Sequence, residues 1–548
     1  MKGFAERAVL AGVLAAVLAG TFAVPAAAIH DGDPDAAGMS QLFNSPNTSA
    51  PAQAVNSDLA FWGNRAYVGN YDGFRIFDIS NPAAPALLSD VKCRGPQNDP
   101  VVWGTLLFLA VDRTQSGPNC GSVDTTAHDD PNGWEGVRIF DVADPRSPRQ
   151  IGAVYTDCGA HTITLYPRNR AQLLLYVSSY PLRPGPTCGP VTGPSAGNSA
   201  LHEKISVIRV PVHNPRAARV IAQPRISYPG DPDNQFTPSE HGLSSPDLVD
   251  GLTACHDIGV FVELRLAAAA CAEQAQLWRI KRNGVPDTEH PIWVYDDNTD
   301  TDGPGSPGTT GDVAVDFWHS ATFSWDGKVI NFIDESFGSG CPTVTQFADE
   351  TLNDTGRMFF LDTRSGRKLS HFMIPRTETP EPGPTYCSAH VGIPVHTKEA
   401  DLLVNAWYTG GADVVDFNDP TRPFEATFFD AGNGAVGGSD NWAAYWYEGP
   451  GTGRRSLTMY GQDGVEDPPS GLGFQVFSAR TDVRDIPLPF LNPQTQMNVL
   501  RSHGRPHHDG RTDDRQGQLD AGTKQRSAGP SADLRRSAAD AATRRLAP

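Results

Sequence analysis

The sequence predicts an all-β protein that folds as a seven-bladed β-propeller with four-stranded antiparallel blades. Seven times along the chain an aspartate or a histidine opens a short apolar strand, and seven times a second apolar run follows that ends near Asp-x-x-x-Pro or a relic of it. The 54 glycines and 46 prolines indicate many turns. Strand-rich units that repeat at a nearly constant spacing are typical of a propeller.

The first half of each unit begins with a polar residue at the start of the expected innermost strand. The segments SDLAFWGNRAYV and AHTITLYP show the pattern of an opening residue followed by an apolar strand. The seven openings, in chain order, are Asp58, Asp99, His161, His256, His319, His390 and Asp440.

The second half of each unit is the part that repeats most clearly. GFRIFDISNPAAP begins at Gly73, GVRIFDVADPRSP at Gly136 and ADVVDFNDPTRP at Ala412. The remaining second halves begin at Lys204, Gln276, Arg357 and Gly473. Each supplies an apolar strand, and together the two halves give four strands per unit.

At these cores the chain resembles the LVIVD-repeat family of secreted or surface proteins, for which a β-propeller fold is expected. The segments RIFDISNP, RIFDVADP and VVDFNDP match the family's apolar strand that ends in Asp and is followed by Pro. The units WRIKRNGVP, MFFLDTRSG and QVFSARTD depart from that pattern. The resemblance covers most of residues 55–493 and implies the fold, but it implies no activity.

The chain divides into four segments by composition. Residues 1–28 have a basic start, an apolar stretch and an Ala-x-Ala-like end, which predict a signal peptide. Residues 29–54 form a polar lead-in that is expected to supply a strand to the last blade, and residues 55–493 form the propeller. Residues 494–548 are poor in apolar residues and are expected to be a disordered tail.

Charge and hydropathy limit the location and the partners. No segment after the signal offers the roughly 20 apolar residues of a transmembrane helix, so we expect a protein that is secreted or located in the cell envelope. The chain contains 63 acidic residues and only 44 Lys and Arg residues. Nucleic acid is therefore not an expected partner. We expect a monomer whose loops bind an extracellular protein, a glycan or a small molecule.

The eight cysteines are expected to form disulfides, since thiols outside the cell oxidise readily. In the blade register, the first two pairs given below lie in loops that emerge on one face of the propeller. The third pair joins neighbouring blades, and the fourth closes the first hairpin of a blade. These pairs are Cys93 with Cys120, Cys158 with Cys188, Cys341 with Cys387, and Cys255 with Cys271. The alternative is a metal site, because Cys158 and Cys387 each stand three residues before a histidine.

The ring of openings is the main candidate site. In a propeller the equivalent positions of innermost strands surround the axis, so His161, His256, His319 and His390 should converge there. Neutral imidazole is a common ligand for iron, copper and zinc, and Asp58, Asp99 and Asp440 would complete the ring or orient the histidines. The alternative is a polar channel lining that is hydrogen-bonded to neighbouring backbone.

Other acidic residues are weaker candidates for function. Asp257, Asp334 and Glu335 could flank the channel. Residues 296–303, DDNTDTDG, place oxygen ligands at alternate positions as calcium loops do, but they lack the terminal glutamate. The alternative for this segment is a solvated turn.

Two functions remain open from the sequence. The first is an extracellular binding or scaffold protein that carries a metal held by the channel histidines. The second is a metal-dependent oxidoreductase or lyase, in which the four histidines hold iron or copper on the propeller axis. The sequence does not decide whether the protein is an enzyme, because propellers support many unrelated functions.

Overall fold

A computed structural model shows seven β-sheets that follow one another along the chain, which confirms the seven-bladed propeller. Among the described residues, no helix is long and apolar enough to cross a membrane. The structure describes residues 35–47, 55–127, 130–178, 185–187, 204–229, 254–271, 274–296, 315, 317–335, 356–375, 388–408, 410–430, 441–449, 456–463, 473–480 and 483–497.

The first three blades follow two short N-terminal strands. These strands are β1 (Asp35–Ala37) and β2 (Met39–Pro46). Blade 1 contains β3 (Asn56–Trp62), β4 (Arg65–Asn70), β5 (Gly73–Asp78) and β6 (Ala86–Lys92). Blade 2 contains β7 (Gln97–Trp103), β8 (Leu106–Gln115), β9 (Trp134–Asp141) and β10 (Arg149–Tyr155). Blade 3 contains β11 (Thr162–Asn169), β12 (Gln172–Ser178), β13 (Ile205–Pro211), a 3-10 turn (Pro215–Ala217) and β14 (Arg219–Ala222).

The last four blades complete the ring and are followed by two short strands. Blade 4 contains β15 (Ile258–Phe261), β16 (Leu266–Cys271), β17 (Gln274–Arg279) and β18 (Trp293–Asp296). Blade 5 contains β19 (Trp318–Phe323), β20 (Val329–Asp334), β21 (Met358–Asp362) and β22 (Lys368–Phe372). Blade 6 contains β23 (Ser388–Pro394), β24 (Leu402–Tyr408), β25 (Gly411–Asp416) and β26 (Phe424–Asp430). Blade 7 contains β27 (Asn441–Trp446), β28 (Ser456–Asp463) and β29 (Gly473–Arg480), and the chain continues into β30 (Phe490–Leu491) and β31 (Thr495–Gln496).

The lead-in closes the ring. Strand β2 pairs antiparallel with β29 and forms the outer strand of blade 7, while β1 pairs with β26 at the edge of blade 6. The buried guanidinium of Arg75 in blade 1 donates to the backbone oxygens of Ser45 and Pro46, both at 3.1 Å. The N-terminal strand is therefore bound to the last blade through the backbone and to the first blade through a side chain.

The repeated aspartate of the second half has a local structural role. At Asp78, Asp141 and Asp416 the carboxylate accepts the backbone N–H two residues later, at 2.9, 3.0 and 3.0 Å. This Asx turn carries the chain from the third strand of a blade to the fourth. The repeat motif thus specifies a turn.

The core lies between adjacent blades. Phe74 of blade 1 meets Phe140 of blade 2 with ring centroids 5.1 Å apart, and Phe261 of blade 4 meets Phe323 of blade 5 at 5.9 Å. All four rings are buried. Such aromatic pairs add about 0.5–1.5 kcal/mol beyond the area that they bury, so each blade stabilises its neighbours.

Two of the predicted disulfides are confirmed. Cys93 is bonded to Cys120, and Cys255 is bonded to Cys271 across the first hairpin of blade 4. Cys158 is also disulfide-bonded. The remaining predicted partners, Cys188, Cys341 and Cys387, lie outside the described residues.

Residues 483–497, which we call the C-terminal clasp, cross the end of the propeller where the innermost strands finish. Strand β30 pairs antiparallel with β3, and β31 pairs in parallel with β15. The clasp forms hydrogen bonds with every blade. Its partners, from blade 1 to blade 7, are Gly63, Val102, Leu165, Val260, Phe323, His396 and Glu448.

The predicted boundary at residue 493 lies inside the clasp. The prediction places residues 494–497 in the tail, yet Thr495, Gln496 and Met497 are buried, and two of them form β31. The sequence NPQTQM has no apolar alternation, so it gives no strand signal of its own. Its order comes from bonds to the blades. Residues 498–548 and the predicted signal peptide lie outside the described residues.

Candidate metal centre

An irregular register at the start of the innermost strands positions the candidate side chains. The pairing shifts around Asp58 in β3, Asp99 in β7, His319 in β19, His390 in β23 and Trp442 in β27. A β-bulge of this kind re-aims a side chain relative to a regular strand. The equivalent bulge position of blade 7 holds Trp442, and the predicted ring member Asp440 lies outside the described residues.

The structure brings the four predicted histidines together in one buried row. His161 directly precedes β11, and His256 stands two residues before β15. Ring centroids are 4.4 Å apart for His161 and His256, 3.9 Å for His256 and His319, and 4.1 Å for His319 and His390. None of the four is more than 4% exposed. Residues that are far apart in the sequence therefore meet at the propeller axis.

Two overlapping groups in this row have the side chains and spacing to hold a metal ion. His256, Asp257 and His319 form one group, and His319, Glu335 and His390 form the other; within each group, one ligand atom per residue lies within 4.8 Å of the others. The Glu335 carboxylate is 3.8 Å from Nε2 of His319 and 3.8 Å from Nε2 of His390. His319 belongs to both groups, while His161 belongs to neither.

Hydrogen bonds fix the ends of the row. Nδ1 of His390 donates to the backbone oxygen of Trp442, which leaves Nε2 of that neutral ring with its lone pair toward Glu335. At the other end, Nδ1 of His161 lies 2.7 Å from Oδ2 of Asp112, and Nε2 of His161 lies 2.7 Å from Nε2 of His256. Both terminal rings are thus held in defined orientations.

Burial keeps His256, His319 and His390 neutral. It lowers the pKa of His390 to about 3 and places the pKa values of His256 and His319 well below the usual range, with repulsion between the rings adding to the effect. A metal ligand must present a free lone pair, which a protonated imidazole lacks. These three histidines are therefore in the ligand-competent protonation state at neutral pH.

Burial has the opposite effect on the acids. It raises the pKa of Glu335 to about 8, against a lowering effect of the Tyr408 hydroxyl, which donates to Oε1 at 3.2 Å. The pKa of Asp257 is raised well above its usual range by burial first and by Asp58 second. A bound cation would favour the ionised form of both carboxyl groups.

The predicted ring members Asp58 and Asp99 lie beside each other and are hydrogen-bonded to each other. Asp58 also accepts the N–H of Leu59 at 2.6 Å, and Asp99 accepts the N–H of Ile163 at 3.2 Å. Burial raises the pKa of Asp58 to about 7 and that of Asp99 well above its usual range. The carboxyl groups next to the histidine row are Asp112, Asp257 and Glu335 instead.

Sequence reasoning missed Asp112 and the role of Tyr408. In each blade the second strand ends at the level where the first strand begins, because the two strands are antiparallel. Asp112 lies near the end of β8, Tyr408 ends β24 and Glu335 follows β20. Polar residues at the ends of second strands are the signal that could have found them. The predicted calcium segment lies outside the described residues apart from Asp296, which ends β18.

Comparisons with known proteins give one family match and several weak structural similarities. The LVIVD repeat matches residues 56–92, which span blade 1 from β3 to β6. No curated protein matches the sequence. A periplasmic gluconolactonase from Pseudomonas aeruginosa is 13% identical, with a TM-score of 0.42, over 78% of this chain and 98% of that one. Saccharomyces cerevisiae Sqt1 is 9% identical, with a TM-score of 0.41, over 77% and 83% of the two chains.

These structural similarities are too weak to carry an argument about activity. The repeat match and the seven-sheet ring agree with each other, since the matched residues are the four strands of one blade. The chain is therefore a seven-bladed β-propeller that carries an LVIVD repeat in its first blade.

Proposed function

We propose that this protein is an exported metalloenzyme, an oxidoreductase or lyase that holds an iron, copper or zinc ion on the propeller axis. The ligands would be His256, His319, His390 and Glu335. The observation that carries the proposal is the buried row of imidazoles with a carboxylate 3.8 Å from two of them. Imidazole with carboxylate is a ligand set that these metals accept.

The paired cysteines support export, because disulfides persist in oxidising compartments. The closure of the ring, in turn, bears on the role of the ion. Strand β2 and the C-terminal clasp already close the ring through backbone hydrogen bonds. A metal is therefore not needed to hold the blades together, which favours a chemical role over a structural one.

When bound, an ion at this position would supply Lewis-acid chemistry or, for iron and copper, electron transfer. The chain's own residues would orient and surround it. The backbone oxygen of Trp442 and the Tyr408 hydroxyl hold His390 and Glu335 in place. Each candidate ligand is less than 9% exposed, so bulk water is excluded from the site.

The test is the metal content of the purified protein. The wild type is expected to hold one iron, copper or zinc ion per chain after loading and desalting, measured by elemental analysis. The double variant His256→Ala with His319→Ala should hold none. His290→Ala is the matched control, because that side chain is 78% exposed and remote from the row, and it should bind as the wild type does.

A metal-free wild type that gains no thermal stability from Fe(II), Cu(II) or Zn(II) would contradict the proposal. The second candidate, a binding scaffold, would then be favoured. It is supported by the position of Ser178, the last residue of β12, whose backbone oxygen accepts the N–H of His161, because the connection that follows β12 therefore begins at the histidine end of blade 3. Glycan-array binding by the metal-free double variant would support that function.

A further inference from the structure

We propose that His161 is not a metal ligand, and that it forms with Asp112 an outer pair that sets the tautomer of the ligand His256. The pair would direct Nδ1 of His256 toward the ion. This inference rests on the proposed metal centre. It replaces a set of four equivalent histidines with three histidine ligands and one positioning histidine.

The distance between the two rings favours a hydrogen bond over a shared ion. Nε2 of His161 and Nε2 of His256 are 2.7 Å apart. Two imidazole nitrogens that bind one ion at about 2.0–2.1 Å are separated by about 2.9 Å or more, even at a right angle. The rings also meet edge to face, with an interplanar angle of 79°. His161 is accordingly absent from both candidate ligand groups.

The protons in this chain of groups can be assigned one after another. The carboxylate of Asp112 accepts the Nδ1–H of His161 at 2.7 Å. We assign the tautomers from these two contacts: with one N–H on His161, given to Asp112, its Nε2 accepts and Nε2 of His256 donates. Nδ1 of His256 then carries the lone pair.

That lone pair lies beside Asp257. Nδ1 of His256 is 3.4 Å from Oδ1 of Asp257, and these two residues form a candidate ligand group with His319. An outer hydrogen bond that fixes the tautomer of a ligand histidine is a known way to raise metal affinity. Here a second histidine provides that bond.

The pair is held rigidly by neighbouring backbone. The N–H of His161 donates to the backbone oxygen of Ser178 at 2.9 Å, and the N–H of Asp112 donates to that of Pro96 at 2.7 Å. The Thr162 hydroxyl donates to the backbone oxygen of His256 at 2.9 Å. Blades 2 and 3 thus position a ligand that belongs to blade 4.

The test compares Asp112→Asn and His161→Leu with the ligand variant His319→Ala. Copper(II) is the probe, with stoichiometry from elemental analysis, affinity from competition with a chelator, and coordination from the electron paramagnetic resonance spectrum. Both outer variants are expected to keep one ion per chain, to bind it about 10–100-fold more weakly and to change the spectrum. His319→Ala should lose the ion.

Glu135→Gln is the matched control, since Glu135 is a buried carboxyl group of blade 2 that accepts from Thr114 at 2.7 Å and lies outside the row. It should bind copper as the wild type does. Asparagine has nearly the same shape as aspartate, so Asp112→Asn provides the test if His161→Leu does not fold. Loss of the ion from His161→Leu that is as complete as from His319→Ala would overturn the inference, as would unchanged affinity and spectrum in Asp112→Asn. A wild type that binds no copper, iron or zinc would instead contradict the proposed metal centre.

Discussion

The two ends of the propeller axis are both buried and polar, yet they differ in how their polar atoms are paired. At the clasp end, Oδ1 of Asn492 accepts the N–H of Val102 at 2.6 Å, and Nδ2 donates to the oxygen of Val102 at 2.8 Å. Gln496 forms the same two bonds with Phe323. The amide side chains here replace the backbone partners that the innermost strands lack at their ends.

At the histidine end the pairing is incomplete. Nδ1 of His319 has no hydrogen-bond partner among the described residues. The distances from Glu335 to the His319 and His390 rings, 3.8 Å each, are too long for hydrogen bonds. Buried polar atoms without partners cost stability, whereas the paired amides of Asn492 and Gln496 do not. We therefore expect Asn492 and Gln496 to stabilise the fold, although Gln494 beside them has no amide partner among the described residues, and we expect the histidine end to hold a ligand.

The largest expected loss of stability comes from substitutions at the clasp end. Asn492→Ala and Gln496→Ala should each lower the free energy of unfolding by roughly 2–3 kcal/mol, because each leaves a buried backbone N–H and C=O unpaired. Chemical denaturation of the metal-free protein measures this loss. Gln494→Ala is the control, since neither amide atom of Gln494 has a partner among the described residues, and it should cost less than about 1 kcal/mol. Equal losses in all three variants would contradict the role given to the paired amides.

The second effect tests the histidine end with the same measurement. His319→Leu should leave the metal-free protein unchanged or more stable by up to about 1 kcal/mol, because an incompletely paired polar ring is replaced by an apolar side chain of similar size. It should also abolish metal binding. Asn492→Leu, the matched exchange at the clasp end, should lose roughly 2–3 kcal/mol. If His319→Leu were as destabilising, the histidines would be a structural hydrogen-bonded lining.

The sequence predicts the histidine row better than the groups that surround it. The four histidines and the blade count follow from repeats, since a repeated unit places equivalent residues at equivalent positions around the axis. Asp112 has no counterpart in most units and lies in an apolar strand, so no repeat draws attention to it. Its contact with His161 depends on how blades 2 and 3 pack, and spacing alone does not contain that information.

The clasp could not be predicted for a related reason. Asn492 and Gln496 stand in a polar segment that resembles the tail after it. They become ordered because the ring of strand ends offers unpaired backbone groups, and that ring exists only after all seven blades have formed. Tertiary contacts therefore determine the conformation of this segment, whereas the local sequence pattern is enough to predict a strand such as β5.

The last effect concerns pH and separates the acids from the histidines. The metal-free protein should lose stability as pH rises from about 6.5 to about 8. Burial holds the pKa of Glu335 at about 8 and that of Asp58 at about 7, against ordinary values of 4.5 and 3.8 in the unfolded chain. In this window the folded protein binds protons that the unfolded chain has already released, so raising the pH favours unfolding. The slope is at most about 1.4 kcal/mol per pH unit for each group.

The histidines oppose this slope only at its lower end. Burial lowers the pKa of His390 to about 3, so its contribution changes mainly below the unfolded pKa of about 6.5, where stability is lost as the pH falls, and little above about pH 7.5. Denaturation midpoints at pH 6.5, 7.25 and 8.0 in the presence of a chelator measure the net slope, and Glu335→Gln should make it shallower. Saturating metal should reduce the slope further, because the ion takes the place of the proton on Glu335. A slope that is the same in wild type, Glu335→Gln and metal-loaded protein would show that Glu335 neither holds a proton in the folded state nor faces the ion.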